Sequence, residues 1–336
     1  MKKAPENQKL IVGSSMLGFS MVELMVALAL GLLLTAAVLQ TFVSLKQTYE
    51  FQEEFSRIQE NGRFGIEFLT RDIRGADFWG CNSDGIGTSI RDHLNPSSDA
   101  AYSFGVGVDG TDGSSGVNTA SDSPDTLVLR GASGFGANVV VVPATTAAAL
   151  QISNNSGLVE DEIVLLSDCS HGEIFQVTNN PSAGGTANFD LVTHNTGNTS
   201  VGPGNATQTL QKIYATDAQI YRASSVTYSI ADGASGEPAL FRNGDELVEG
   251  VENFQVMYGE DTDSDGAPNY YVPAGAAGLN MDQVVSIHIS LLIRSLRDNL
   301  TEAAQSIQYN GATLSPGDRR VRKVFSSRVA VRNRLD

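Results

Sequence analysis

The first feature of the hydropathy pattern is a long uncharged stretch near the amino terminus. Residues 24–43 are predominantly apolar and carry no charged side chain. A membrane-spanning helix needs about 20 consecutive apolar residues, so this stretch is long enough to cross a bilayer. Three lysines precede it, and basic residues ahead of an apolar segment hold that end in the cytoplasm. The pattern therefore predicts one membrane-spanning helix, with the rest of the chain outside the cytoplasm.

The helical pattern continues beyond the apolar stretch with a narrower apolar face. Between residues 51 and 73, apolar or small residues recur every three or four positions, which is typical of an amphipathic helix. No proline occurs between residues 19 and 75. We therefore expect one helix over 19–75. Its first half presents apolar side chains without cover from the rest of the chain, and its second half packs on a globular domain. The stripe consists of Phe51, Phe55, Ile58, Gly62, Ile66, Leu69 and Ile73.

After Trp79 the composition changes to Gly, Ser, Thr, Asn and Asp with short β-rich runs. The last runs alternate polar and apolar residues, as strands with one covered face do. The turn-rich stretches 83–124 and 179–187 are expected to be surface loops. The pattern predicts an α+β fold in which a long helix packs on a β-rich head. The predicted strands are 126–130, 138–142, 162–166, 174–178, 190–193, 218–230, 240–242, 254–258, 284–293 and 322–331.

The residues at the start of the apolar stretch carry a processing motif. The sequence from Gly18 to Leu24 reads GFSMVEL, and a mostly polar segment precedes it. In a secretory signal the apolar region precedes the cut and is removed with it, whereas here it follows. This arrangement resembles the class III signal of type IV pilins and their secretion-system relatives. The resemblance implies that a prepilin peptidase cuts after Gly18 and methylates the new amine of Phe19.

Two downstream stretches make the resemblance more specific. Residues 258–266, which read YGEDTDSDG, and residues 319–335 are similar to the PilW family of minor pilins. The implied fold is pilin-like α+β, with a long N-terminal helix packed on a β-rich globular head that has long loops. The expected organisation is a leader over 1–18, a transmembrane and filament-core half of the helix over 19–43, an amphipathic half over 44–75 and a head over 76–336.

Glu23 is an acid at the edge of the apolar segment. A carboxylate in hydrocarbon costs about 2.5–3.5 kcal/mol, so an intramembrane acid is a candidate functional residue. If the chain is cut after Gly18, the group that pairs with Glu23 is the amine of Phe19 on a neighbouring subunit. The alternative is that Glu23 complements the helix dipole in the first turn, near the lipid headgroups. We favour the pairing between subunits.

The charge of the chain restricts its partners. The net charge at pH 7 is −16, and removal of a leader with three lysines and one glutamate leaves −18. An acidic head argues against direct binding of nucleic acid or anionic lipid.

Basic residues nevertheless concentrate at the C-terminus, and most of them would share one face of a strand. We expect these residues to pair either with carboxylates of this chain or with an acidic neighbouring subunit. Pairing within the chain is the commoner case. These residues are Arg319, Arg320, Arg322, Lys323, Arg328, Arg332 and Arg334.

The chain has two cysteines, Cys81 and Cys169, and both follow the helix. An exported head lies in an oxidising compartment, where an even number of cysteines indicates a disulfide. The alternatives are a metal pair with His171 and a free thiol. The sequence favours the disulfide, because no CxxC motif or second histidine spacing accompanies Cys169.

An alternating acidic motif, Asp261, Asp263 and Asp265 followed by Gly266, is the strongest candidate for metal binding. Calcium prefers six to eight oxygen ligands, and alternating aspartates before a glycine present carboxylates to one centre. The bidentate glutamate of an EF-hand is replaced here by Val272, so Glu260, Asp282 or waters would have to complete the site. The alternative is an acidic turn between two strands, because aspartate and glycine favour turns.

Motifs of catalysis are missing from the sequence. It contains no HExxH, no GxSxG, no P-loop and no dinucleotide fingerprint. The four histidines, His93, His171, His194 and His288, are scattered. We therefore expect a protein that is not an enzyme.

The PilW resemblance implies a minor pilin of type IV pilus assembly, acting in a tip-associated priming complex that supports twitching motility, adhesion or DNA uptake. The implied partners are the prepilin peptidase, other minor pilins, the major pilin, the inner-membrane assembly platform and a large tip adhesin. The implied location is the inner membrane, with a single pass and a periplasmic head, and then the pilus. Two alternatives stay open: a pseudopilin of type II secretion, and a membrane-tethered calcium- or glycan-binding adhesin.

Overall fold

The computed structural model describes residues 20–81, 89–96, 104, 106–113, 123–197, 199 and 201–335, with the side chains of 134–136 excepted. The chain divides into two compact units, Met1–Glu53 and Glu54–Asp336. The predicted cleavage residues Gly18 and Phe19 lie outside the described residues.

Helix α1 covers Met21–Gly75, which agrees with the predicted helix within the described residues. Its first half is long and apolar enough to cross a membrane, and the apolar side chains from Met21 to Val43 are exposed. Two threonines of this half, Thr35 and Thr41, donate their hydroxyls to the backbone carbonyls four residues earlier, at 2.8 and 2.9 Å. These bonds satisfy the hydroxyls within the helix, as a lipid or apolar environment requires.

The second half of α1 packs along one face, as the stripe predicts. The buried positions are Glu54, Ile58, Gly62, Gly65, Leu69 and Ile73. Phe51, Phe55 and Ile66, which the stripe also included, are half-buried. The stripe did not include Glu54, because a carboxylate is not expected on the covered face of a helix.

The rest of the described chain is mostly β-structure. A ten-stranded sheet has the order β1-β6-β5-β8-β3-β4-β7, with β2 paired to β3, β9 to β8 and β10 to β9. A four-stranded antiparallel sheet has the order β12-β11-β13-β16, and β14 and β15 form a hairpin. The strands are β1 Ile90–Asp92, β2 Val108–Thr111, β3 Thr126–Val141, β4 Leu150–Ser153, β5 Ile163–Ser167, β6 Gly172–Gln176, β7 Phe189–Val192, β8 Gln219–Asp232, β9 Pro238–Arg242, β10 Asp245–Glu249, β11 Val251–Glu260, β12 Tyr270–Val272, β13 Val284–Arg294, β14 Ile307–Tyr309, β15 Ala312–Leu314 and β16 Arg322–Ala330.

The α+β fold class is confirmed, and every predicted strand overlaps an observed one. The predicted strands 126–130 and 138–142 are parts of the single strand β3. The expectation of loops over 83–124 and 179–187 was partly wrong, because the first contains β1 and β2 and the second contains the short helix α2, Pro181–Gly184. The missed strands are short, and their backbone pairing with neighbours, rather than an apolar alternation, defines them.

The buried face of α1 contacts both sheets. A Cβ atom placed on Gly62 would lie 2.3 Å from the Phe325 ring of β16. One placed on Gly65 would lie 3.1 Å from Leu291 of β13 and 3.7 Å from Val248 of β10. The two glycines therefore let the helix backbone approach the sheets closely, which is the packing role that the stripe indicated.

Gly62→Ala is expected to destabilise the protein by about 1–3 kcal/mol, because the added methyl group displaces a packed ring. The matched control is Gly75→Ala at the end of the same helix, where a Cβ meets nothing within 4 Å. The control should be neutral or slightly stabilising, since alanine favours a helix over glycine by about 1 kcal/mol. Denaturant unfolding of the detergent-solubilised protein measures both, and equal effects would contradict the close approach.

Candidate functional site

Glu23 lies in the first turn of α1 and is exposed, as are the apolar residues that follow it. The backbone N–H of Val22 donates to Ser20 Oγ at 3.3 Å, so Ser20 caps the start of the helix. A continuous exposed apolar surface of this extent indicates a membrane or a protein interface. The pairing of Glu23 with the amine of Phe19 on a neighbouring subunit stays a prediction.

Two buried or half-buried acids join the second half of α1 to the sheets. Asp72 Oδ2 accepts hydrogen bonds from the Tyr228 hydroxyl at 2.7 Å and from Arg242 Nε at 2.8 Å. Burial, with the Asp72 carboxylate beside it, raises the pKa of Tyr228. Glu54 Oε2 accepts the backbone N–H of Leu296 at 3.0 Å. Sequence reasoning missed both acids, because their partners lie more than a hundred residues away along the chain.

Cys81 and Cys169 form a disulfide, with an S–S distance of 2.11 Å, so the predicted bond is confirmed. Both sulfur atoms are consumed by the bond, which rules out the metal pair with His171 and the free thiol. The bond joins the segment after α1 to the turn between β5 and β6. Closing a loop of 88 residues stabilises the folded chain by about 4–5 kcal/mol on the chain-entropy argument.

Three of the six C-terminal arginines, Arg320, Arg322 and Arg334, pair with carboxylates of this chain. Arg322 is buried and binds two acids, donating from Nη2 to Glu252 Oε1 at 3.0 Å and to Asp318 Oδ2 at 2.7 Å. The hydrogen bonds from Arg322 lower the pKa of Asp318 to about 2. Arg320 binds Glu237 at 3.0 Å. The internal pairing that we favoured is therefore present for these residues.

The expectation that these arginines share one strand face was wrong at both ends. Strand β16 covers Arg322–Ala330, and a 3₁₀ turn, Arg332–Arg334, follows it. Within that turn Arg334 binds Asp77 at 2.5 Å and donates to the carbonyl of Val284 at 3.0 Å. The turn changes the direction of the side chains, so the alternation of a strand does not continue through the last basic residues.

The acidic motif forms a tight turn after β11. Asp261 is buried, and its Oδ1 accepts the backbone N–H of Ser264 at 2.7 Å while its Oδ2 accepts that of Gly266 at 2.7 Å. Two further N–H groups, of Asp263 and Asp265, donate to Oδ1 at 3.2 and 3.3 Å. Burial acts to raise the pKa of Asp261, but these donors outweigh it and hold the pKa below its ordinary value. Asp261 therefore organises the turn through hydrogen bonds to its backbone.

The same motif still has the geometry for a cation. Asp261, Asp263 and Asp265 each offer a carboxylate oxygen within 4.8 Å of the others. Of the two additional ligands that the sequence suggested, Glu260 accepts hydrogen bonds from Tyr270 and Asn280, whereas Asp282 lines the same cavity as Asp261. Arg334 also lines that cavity, and its positive charge opposes cation binding. Calcium binding at this turn stays a prediction.

A buried cluster that the sequence did not suggest surrounds Glu173 of β6. Its carboxylate binds the ring of His93 and accepts the Tyr214 hydroxyl at 3.1 Å and the backbone N–H of Gln211 at 2.7 Å. The side chains of Glu173, His93 and Tyr214 are all buried. Burial and the neighbouring Glu173 raise the pKa of Tyr214. The cluster satisfies its own polar groups, which is the behaviour of a structural network.

The segment that holds the arginine pairs and the acidic turn is similar to a known family. The family model PilW, Type IV Pilus-assembly protein W, matches residues 227–333. This segment is PilW-like. The matched segment covers the whole four-stranded sheet. The match confirms the resemblance that the two downstream stretches indicated. A search of curated proteins and a search of solved structures gave no match.

The PilW match supports a role in type IV pilus assembly. PilW is a pilus-assembly family and not a family of enzymes, and such a role implies contact with other pilus components. The apolar helix and the PilW-like segment together fit a membrane-anchored protein.

Arg322→Met is expected to cost about 2–3 kcal/mol of folding stability. Removing one member of a buried ion pair costs about 3–5 kcal/mol, and the cost is lower here because Glu252 and Asp318 stay about a quarter exposed. The control is Arg328→Met on the same strand, where the exposed guanidinium lies 5.2 Å from the Tyr271 ring centre and contributes below about 1 kcal/mol. Similar losses in urea unfolding of both variants would contradict the network.

Asp261→Asn is expected to destabilise the protein more than Asp263→Asn, because the carboxylate of Asp261 accepts four backbone N–H groups of the turn. The folded pKa of Asp261 is lowered, so its stabilisation is complete above the unfolded value of about 3.9 and is lost as pH falls through the folded value. The difference between the variants should therefore be largest at neutral pH. Thermal unfolding across a pH series, with and without added calcium, measures it.

A calcium-dependent rise of the unfolding temperature that Asp263→Asn abolishes would establish the metal site. An Asp261→Asn variant as stable as Asp263→Asn at neutral pH would contradict the role of Asp261 in the turn.

Proposed function

We propose that this protein is a minor pilin that enters a type IV pilus through its N-terminal helix. The observation that carries the proposal is the combination of an exposed apolar helix with a head segment that matches a pilus-assembly family. In this proposal residues 1–18 are a leader, 19–43 lie in the membrane and later in the filament core, 44–75 form the amphipathic half of the helix, and 76–336 form the head.

The mechanism follows from the apolar surroundings that the first half of α1 needs. Its apolar surface is covered by lipid before assembly and by the helices of other subunits afterwards, so the transfer exchanges one apolar environment for another. The prepilin peptidase would cut after Gly18 and methylate Phe19. Glu23 would then pair with the amine of Phe19 on a neighbouring subunit, which offsets the cost of a carboxylate in an apolar environment.

We further propose that the head faces the periplasm, that the chain crosses the inner membrane once, and that the protein acts in a priming complex at the pilus tip. The large head supports this position, because a bulky subunit would crowd a repeating helical lattice. The partners would be other minor pilins, the major pilin, the inner-membrane assembly platform and a large tip adhesin. The processes served would be twitching motility, adhesion or DNA uptake.

The main alternative is a pseudopilin of a type II secretion system, which would share the signal and the apolar helix. The family match over 227–333 favours the pilus. A tethered calcium- or glycan-binding adhesin that never enters a filament is the alternative of another class. A mutation at position 23 distinguishes the two hypotheses, because a tethered adhesin does not require a charged residue there.

The test is deletion of the gene and complementation with the wild type, Glu23→Ala and Glu53→Ala. Glu53 is the matched control because it is an exposed glutamate of the same helix outside the apolar segment. We expect the deletion strain to lose surface pili, counted by electron microscopy. We expect the wild type and Glu53→Ala to restore them and Glu23→Ala to fail, with all three proteins present at equal levels in the membrane.

Parallel assays separate the alternatives. If the deletion strain has normal pili but does not secrete enzymes, the protein is a pseudopilin. Full function of Glu23→Ala would contradict the pairing and favour the tethered adhesin.

A further inference from the structure

Five arginines converge on one groove of an otherwise acidic protein. The groove has a volume of about 520 Å³ and lies where α1 ends. The arginines come from four different elements, and Asp72 is the one acid among the lining residues. They are Arg71 and Arg74 of α1, Arg130 of β3, Arg242 of β9 and Arg332 of the 3₁₀ turn, and we call this site the arginine groove.

The single acid of the arginine groove is already engaged. Asp72 accepts hydrogen bonds from Tyr228, Arg242 and Arg71, at 2.7, 2.8 and 3.3 Å. Arg130 is buried, and its charge is opposed by Asp109 at 3.5 Å. Arg74 and Arg332, in contrast, are exposed and have no carboxylate within 4 Å among the described residues. The groove therefore keeps a net positive charge, while the chain as a whole carries −16.

The fold brings Arg74 and Arg332 to the lining of the same groove. The amide of Asn333 donates to the carbonyl of Ala76 at 2.8 Å, which ties the 3₁₀ turn to the end of α1. Arg74 alone would be explained by the favourable position of a cation at a helix C-terminus. That explanation does not apply to Arg332, which reaches the same groove from another element.

Aromatic rings border the arginines. Phe78 lines the arginine groove, and Phe68 and the acid Glu67 line an adjoining cavity that shares its three arginines with the groove. The Arg71 guanidinium lies 4.6 Å from the centre of the Phe68 ring, and the neighbouring Phe64 is exposed. Arginine and aromatic residues together are enriched at protein interfaces. A small inorganic anion would use the arginines and leave the rings without a function.

We propose that the arginine groove binds an acidic segment of a partner protein, one in which carboxylates flank an aromatic residue. Guanidinium groups bind carboxylates in a planar, two-bonded geometry. A volume of this size accommodates a few side chains. A long polyanion such as DNA fits less well, because the chain as a whole carries a charge of −16 and repels it. The inference rests on the groove itself and does not depend on the proposed role in pilus assembly.

The test measures binding of a fluorescent hexapeptide, Gly-Asp-Phe-Asp-Glu-Gly, to the full-length protein in detergent by fluorescence polarisation. The test variant is Arg74→Gln/Arg332→Gln. The matched control is Arg91→Gln/Arg319→Gln, which removes two exposed arginines away from the groove. We expect the test variant to weaken binding at least about tenfold, since each lost bond to a charged group is a strong one. We expect the control to change it less than about twofold, and both variants to keep the wild-type unfolding temperature.

Any of five results would overturn the proposal. One is unchanged binding by the test variant, and another is an equal loss in both variants, which would mean general attraction to positive charge. Competition by phosphate or sulfate as strong as that of the unlabelled peptide would mean a simple anion site. Tighter, Arg74- and Arg332-dependent binding of a duplex oligonucleotide would mean nucleic acid. Self-association that the test variant abolishes in sedimentation would identify a second copy as the occupant and so contradict a separate partner.

Discussion

The exposed apolar surface in the first half of α1 determines where this protein can exist. Residues of this kind cannot remain in water over such a length, so the segment requires lipid or other apolar helices. The second half of the same helix satisfies its apolar face internally, through Ile58, Leu69 and Ile73. One continuous helix thus needs an external partner along its first half and has an internal partner along its second half.

The amphipathic half of α1 also explains why the head has its particular polar network. Gly62 and Gly65 bring the helix close to Phe325 and Leu291 of the four-stranded sheet. Asp72 joins the helix to Tyr228 and Arg242 of the ten-stranded sheet. The helix therefore contacts both sheets, and polar bonds as well as apolar packing fix it there.

The sequence predicted the features that local periodicity determines. The bounds of α1, the fold class and the overlap of every predicted strand follow from the period of apolar residues, and the disulfide follows from compartment and number. The roles of Glu54, Asp72 and Glu173 could not be predicted, because each depends on a partner that is distant along the chain. The arginine pairs could be predicted in part. The sequence showed the cluster of positive charge, but it did not indicate the turn at Arg332–Arg334.

The most direct test of the proposed entry into a filament is mass spectrometry of pili sheared from wild-type cells. We predict that the sheared fraction contains this protein as a chain that begins with N-methylated Phe19. A chain found only in the membrane fraction, with residues 1–18 still attached, would contradict both the processing and the entry into a filament.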